Sequence, residues 1–357
     1  MKIVTIIGAR PQFIKAATVS RECKKSSVNE IIVHTGQHFD ANMSDVFFKE
    51  MDIPTPNYHL EINSLGHGAM TGRMLEKIEE VLISEKPNAV LVYGDTNSTL
   101  AGALAASKIH IPIAHVEAGL RSFDMNMPEE VNRILTDRIS RWLFCPTATA
   151  VNNLVKEGYK GFGSLIEQPG DVMYDAVMFY KQKAKENSTV VKKESLKENG
   201  FALVTLHRAE NTNDPERLKS ICRALNEIHK TVPVVMPLHP RTKSFLKSLN
   251  INLDVKIIDP VGYFDMLSLL DNCRLVLTDS GGLQKEAYFF NKFCITLRDQ
   301  TEWVELIEAG ANELAGADDQ KILSIFNKNK DRIIKGEPLY GHGNAAEKIV
   351  ASLKKLI

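Results

Sequence analysis

Acids and histidines recur where apolar runs stop. Asp95 follows Leu91-Val92-Tyr93-Gly94, and His115 and Glu117 close the run Ile113–Glu117. Glu129, Glu130, Asn132 and Arg133 open a helical stretch, and His207-Arg208 follows Phe201–Leu206. Carboxylates and imidazoles at such positions can take and return protons. Each one alone reads as well as a helix cap. Several at one site would raise one another's pKa by like-charge repulsion, which suits proton transfer near neutral pH.

A second group suits an anion. In Thr278-Asp279-Ser280-Gly281-Gly282-Leu283-Gln284-Lys285-Glu286, the glycines allow close backbone approach. The N–H groups and dipole of the helix start favour a phosphate. Glu286 lies about one turn in, where it can accept ribose hydroxyls. Gly8-Ala9-Arg10-Pro11-Gln12 follows the first apolar run, so Arg10 can meet a diphosphate, with Lys15 one turn further on. A capped turn and a solvated helix start are the plain alternatives. There is no P-loop and no G-x-G-x-x-G, so ATP and NAD sites lack their signature. His34, His38 and His239 have no metal-ligand spacing. Trp142 and Trp303 read as packing residues, and the Lys181–Lys197 charge run as a solvated helix face.

These residues need a scaffold. Short runs apolar on both parities read as strands of parallel sheets covered on both faces. They are Lys2–Ile7, Glu30–Thr35, Ala89–Tyr93, Ile113–Glu117 and Trp142–Cys145, then Phe201–Leu206, Val232–Pro237, Val255–Ile258, Leu275–Thr278 and Phe293–Leu297. Helical patterns fall between them at Thr71–Ser84, Thr99–Lys108, Arg133–Arg141 and Ala148–Glu157, near Lys181–Asn199, and at Ala345–Lys355. The alternation predicts an α/β protein of two Rossmann-like, doubly wound domains, residues 1–167 and 168–357. The last helix is expected to pack back on the first domain. Both chemical groups fall at carboxyl ends of strands, which implies a ligand cleft between the domains.

The 357 residues carry 44 Lys+Arg against 44 Asp+Glu, so net charge is zero, and 44% are hydrophobic. That balance argues against nucleic-acid and membrane partners, which select basic surfaces. The five cysteines are far apart and odd in number, which fits neither structural zinc nor a disulfide framework. The N-terminal apolar run is too short for a signal peptide, and no stretch approaches the ~20 apolar residues of a membrane span. A cytoplasmic protein is expected.

Taken in order, the motifs resemble the non-hydrolysing UDP-N-acetylglucosamine 2-epimerase family over nearly the whole chain. They are Arg10-Pro11 with Lys15, Gly94-Asp95-Thr96, His115-Val116-Glu117-Ala118-Gly119-Leu120-Arg121, Pro128-Glu129-Glu130-x-Asn132-Arg133, His207-Arg208, Thr278-Asp279-Ser280-Gly281-Gly282-x-Gln284, Leu297-Arg298-Asp299-x-Thr301-Glu302 and Tyr340-Gly341-x-Gly343. The resemblance implies a glycosyltransferase-B type fold, a homodimer, and inversion at C2 of UDP-N-acetylglucosamine to give UDP-N-acetylmannosamine for surface polysaccharide synthesis. It makes Asp95, Glu117, Glu129 and His207 the catalytic candidates. It places Arg10, Lys15, Arg133, Ser280, Gly281, Gly282 and Glu286 on the UDP-sugar. It implies no metal and no cofactor.

Three places depart from the family. Ala9-Arg10-Pro11-Gln12 stands for T-R-P-E, Glu302-Trp303-Val304-Glu305 for E-R-P-E, and Gln37-His38-Phe39-Asp40 for the activator-site Q-H-R-Q. They point to a branch acting on UDP-2,3-diacetamido-2,3-dideoxyglucuronate, whose C6 carboxylate needs a cation. The sugar's C2 hydrogen is not next to a carbonyl, so enolisation is unavailable. Loss of UDP across C1–C2 makes that proton acidic and leaves 2-acetamidoglucal, which takes a proton on the opposite face before UDP adds back. A UDP-sugar glycosyltransferase and a non-catalytic nucleotide-sugar sensor remain open on the same fold.

Overall fold

The computed structural model describes residues 1–37, 54–238 and 240–356. His38, Phe39, Asp40 and His239 lie outside them. The chain forms two compact units, Met1–Met178 with Pro338–Ile357, and Phe179–Glu337.

The first unit holds β1 (Lys2–Ile7), β2 (Asn29–His34), β3 (Tyr58–His59), β4 (Ala89–Tyr93), β5 (Ile113–Val116), β6 (Trp142–Phe144) and β7 (Leu165–Glu167). Their order is β3-β2-β1-β4-β5-β6-β7, with every pair parallel. Ile3, Val4, Ile6, Val90 and Val92 are fully buried on both parities, as strands covered on two faces require. The helices that bear on the site are α1 (Arg10–Lys25), α2 (His67–Glu85), α3 (Asn97–Lys108) and α4 (Pro128–Ile139). Helix α5 (Val172–Asn187) carries the chain out of this unit.

The second unit repeats the plan. It has β8 (Ala202–Thr205), β9 (Val234–Pro237), β10 (Lys256–Ile258), β11 (Leu275–Thr278), β12 (Phe293–Thr296) and β13 (Asn312–Leu314). The order is β10-β9-β8-β11-β12-β13, again all parallel. Helix α6 (Pro215–His229) and helix α7 (Gly281–Phe289) flank this sheet. The chain then returns to the first unit, where α8 (Ala345–Leu356) packs on α1. Asp175 Oδ2 accepts the Ala346 N–H at the start of α8 (2.8 Å).

The expected doubly wound α/β units are present, with local differences. The run Ile113–Glu117 stops as a strand at Val116, because Glu117 turns into the left-handed region at φ +74°. The helix expected to open at Pro128–Arg133 and continue through Arg141 begins at Pro128, whose ring presets a helical φ, and ends at Ile139. The charged helix expected at Lys181–Asn199 instead starts at Val172, where the Asp171 carboxylate accepts the Met173 N–H (2.7 Å), and ends at Asn187. Strands β3, β7 and β13 carry only two or three residues, too few for alternation to register.

His34 closes β2 with its ring stacked on Phe13 (centroids 5.2 Å) and 5.7 Å from the His59 ring. Burial, and then the His59 charge, lower its pKa to about 4. Between that value and the unfolded pKa near 6.5, only the unfolded chain binds the proton. Stability is therefore complete above about 6.5 and declines as pH falls toward 4. Urea melts at pH 8 and pH 5 are expected to show His34→Leu losing about 2 kcal/mol less than wild type. Parallel losses would remove His34 as the cause.

Candidate active site

In an open parallel sheet, ligands sit beyond the strand ends where the winding reverses. In the first unit that point lies between β1 and β4, so the loops following these strands are the place to look. The Gln12 carboxamide ties them together. Its Oε1 accepts the N–H groups of Gly8 (2.8 Å) and Ala9 (2.9 Å), and its Nε2 donates to Tyr93 O (2.8 Å) and to the hydroxyls of Thr96 and Thr99 (both 3.0 Å). Arg10 stands next to this knot as the first residue of α1.

After β4 the chain turns at Gly94 (φ +62°), and a Cβ there would lie 3.3 Å from Glu117 Oε2 and 3.4 Å from Lys15 Nζ. Glu117, Lys15 and the Gly94-Asp95 turn thus meet. Lys15 Nζ donates to Glu117 Oε2. Arg133 Nη2 donates to Asp95 Oδ2, and Asn132 Nδ2 donates to Asp95 O (2.9 Å). Glu129 shares the α4 face of Asn132 and Arg133 at i+3 and i+4 spacing. It is half-buried, and its side chain has no hydrogen-bond partner among the described residues.

Glu117 is paired with Lys15, while the half-buried Asp95 and the buried Glu130 share Arg133, because a buried carboxylate without a counter-charge is costly. Lys15, expected among the UDP-sugar-binding residues, donates to Glu117. His115 is fully buried behind the turn, with Nε2 on Gly94 O and Nδ1 on Asp137 Oδ1, both 2.7 Å. Burial pushes the Asp137 carboxyl up, but His115 and Arg121 outweigh it and hold it below the usual carboxylate range. Gln12 and Glu130 stand in the motifs but receive no role from the sequence. Their signal was polarity at positions that turn out to be about 1% exposed.

In the second unit the reversal lies between β8 and β11. Asp279, fully buried after β11, accepts from His207 N (3.2 and 3.1 Å), Arg208 N (2.9 Å) and Asn211 Nδ2 (3.3 Å). His207 Nδ1 lies 3.2 Å from Asp279 Oδ1. Burial raises the Asp279 pKa, while His207, the Arg208 N–H and Asn211 outweigh it and bring it below the ordinary value. The rest of the His207 ring faces outward, 51% exposed. Ser280 caps α7 through the Leu283 N–H (3.5 Å), and its own N–H goes to Thr278 Oγ1 (2.9 Å). Gly281 and Gly282 begin the helix, where N–H groups have no intrahelical acceptor. A Cβ at Gly281 would run into the Glu302 carboxylate, whereas none meets an obstacle at Gly282. Glu286 is buried one turn further along α7. Trp142 and Trp303 are buried packing residues, the latter under the Lys285 ammonium (4.0 Å to the ring centroid).

Each reversal point thus gathers the residues that the motifs singled out on its own unit. Residues 21–354 match the family model described as UDP-N-acetylglucosamine 2-epimerase. The chain belongs to this family. It is 56% identical over the full length of both chains to the UDP-2,3-diacetamido-2,3-dideoxy-D-glucuronate 2-epimerase of Pseudomonas aeruginosa. It is 45% identical, over 99% of each chain, to the UDP-N-acetylglucosamine 2-epimerase of Methanocaldococcus jannaschii. The crystal structure of the M. jannaschii UDP-GlcNAc 2-epimerase in complex with UDP-GlcNAc and UDP matches with a TM-score of 0.92 at 44% identity, covering 99% of this chain and 100% of that one. Membership makes the chain an epimerase, which sets aside the glycosyltransferase. Among the described residues no helix is long and apolar enough to cross a membrane, and no cluster of His, Cys, Asp and Glu could hold a metal ion.

Proposed function

We propose that this epimerase inverts C2 of a UDP-2-acetamido sugar by elimination and re-addition of UDP. The observation that supports the mechanism is the placing of two ion-paired carboxylates on one turn of the first unit, Glu117 with Lys15 against Gly94 and the next residue, Asp95, with Arg133, at the point where an α/β sheet binds ligand. In the second unit the Ser280-Gly281-Gly282 helix start and His207 receive the diphosphate, and Glu286 accepts ribose hydroxyls. The family motif assigns Arg10 to the diphosphate as well. Positive charge at C1 builds as UDP departs, and a carboxylate among Asp95, Glu117 and Glu129 removes the C2 proton. Another, in its protonated carboxylic acid form, gives a proton to the opposite face of 2-acetamidoglucal and becomes a carboxylate. Shielding of the intermediate from water prevents its loss. The enzyme acts as a homodimer in the cytoplasm, a setting that suits five buried, unbridged cysteines.

UDP-N-acetylglucosamine is the first substrate to test, as the substrate of the family at large. The second is UDP-2,3-diacetamido-2,3-dideoxyglucuronate, favoured by the 56% identity to the P. aeruginosa enzyme. Incubation with each sugar nucleotide in D₂O is expected to place deuterium on C2 of the recovered compounds. A kcat/KM more than tenfold higher for one identifies the substrate. Retention of protium at C2 in both would overturn the epimerase mechanism.

A further inference from the structure

Glu130 stands beside the catalytic candidates and has no part in the steps above. It is about 1% exposed, and its carboxylate takes four donors. Oε2 accepts from Ser122 N (2.9 Å), Ser122 Oγ (3.0 Å) and Arg133 Nη1 (3.1 Å), and Oε1 accepts from Phe123 N (2.9 Å). Arg133 is itself buried and gives its other terminal nitrogen to Asp95. A continuous chain of charge-assisted bonds therefore runs from the Ser122-Phe123 turn through Glu130 and Arg133 to Asp95. At the turn, Phe123 is held in the left-handed region (φ +60°), unusual for an aromatic residue, and the residue is 76% exposed.

We infer that Glu130 is a positioning residue for the epimerisation: it sets the Arg133 guanidinium on Asp95 and ties that pair to the Ser122-Phe123 turn. Arg133 has several rotatable bonds and would otherwise sample other directions. With one end locked by Glu130, its fork presents the other to Asp95 in a single geometry. Both Glu130 oxygens are filled by donors. In Glu130→Gln the amide nitrogen must replace one of them and meet an N–H, either of Phe123 or of Ser122 and Arg133. This role rests on the proposed epimerase function.

Steady-state kinetics and C2 deuterium exchange on the full-length protein test it. Glu130→Gln is expected to lower kcat and exchange by about 10- to 100-fold, as a small misplacement of a reacting group does. KM should stay within about threefold of wild type, and UDP should still bind. Arg133→Met lowers kcat too, and adding Glu130→Gln to it is expected to cost nothing more, because the two act in series. If Glu130→Gln does not fold, Glu130→Asp replaces it, with the same expected loss and the same disappearance of that loss beside Arg133→Met. Unchanged kcat, or losses that multiply in the double variant, would overturn the role. No exchange in wild type would instead overturn the epimerase mechanism on which the role depends.

Discussion

Glu117→Gln is expected to lose turnover by a factor of about 10²–10⁴, the range that a positioned proton-transfer group contributes. Glu117 is 8% exposed and stands in left-handed backbone, which a non-glycine residue adopts at a cost and which aims its carboxylate at the Gly94 turn. The amide keeps the shape and cannot take the C2 proton. The neutral side chain also leaves Lys15 without its carboxylate, so some loss of stability accompanies the loss of rate. UDP affinity, which we propose resides on the second unit, should change by no more than a few fold. Isothermal titration with UDP and an exchange assay in D₂O measure the two separately. Near-normal exchange would take Glu117 out of the proton transfers.

His207→Ala is expected to cost about 10²–10³ in kcat, comparable to removing one donor from a developing anion. The His207 main chain is anchored by two hydrogen bonds to Asp279, while half of the side chain stays exposed. Truncation removes the ring and its Nδ1 contact to buried Asp279 but leaves the main-chain anchor, so some loss of stability accompanies the expected loss at the leaving diphosphate. The diagnostic is a kcat effect much larger than the effect on UDP binding. Equal losses in both would make His207 a ground-state binding residue, and an unchanged kcat would remove it from catalysis.

The sequence alone determined much of this protein. Strand runs such as Lys2–Ile7, Ala89–Tyr93 and Leu275–Thr278 were legible to the residue, because a strand buried on both faces reads as a near-continuous apolar run, with Thr5 and Thr278 as buried exceptions. Alternating strands and helices implied parallel sheets, since parallel neighbours need a crossover. Gly94-Asp95, Glu117, His207 and Ser280-Gly281-Gly282 stood out because polar groups directly after such runs lie at the ligand end of the sheet. Tertiary structure decided which polar group faces which. Residue type does not say that Lys15 turns to Glu117 rather than to a phosphate, or that His115 points inward to Asp137 and Gly94. Neither does it separate Glu129, half-buried and with no side-chain hydrogen-bond partner among the described residues, from Glu130, buried under four donors. These pairings join residues that lie far apart in sequence or on different elements. They are set by the balance of desolvation against charge and hydrogen bonding, which exists only once the chain has brought the partners together.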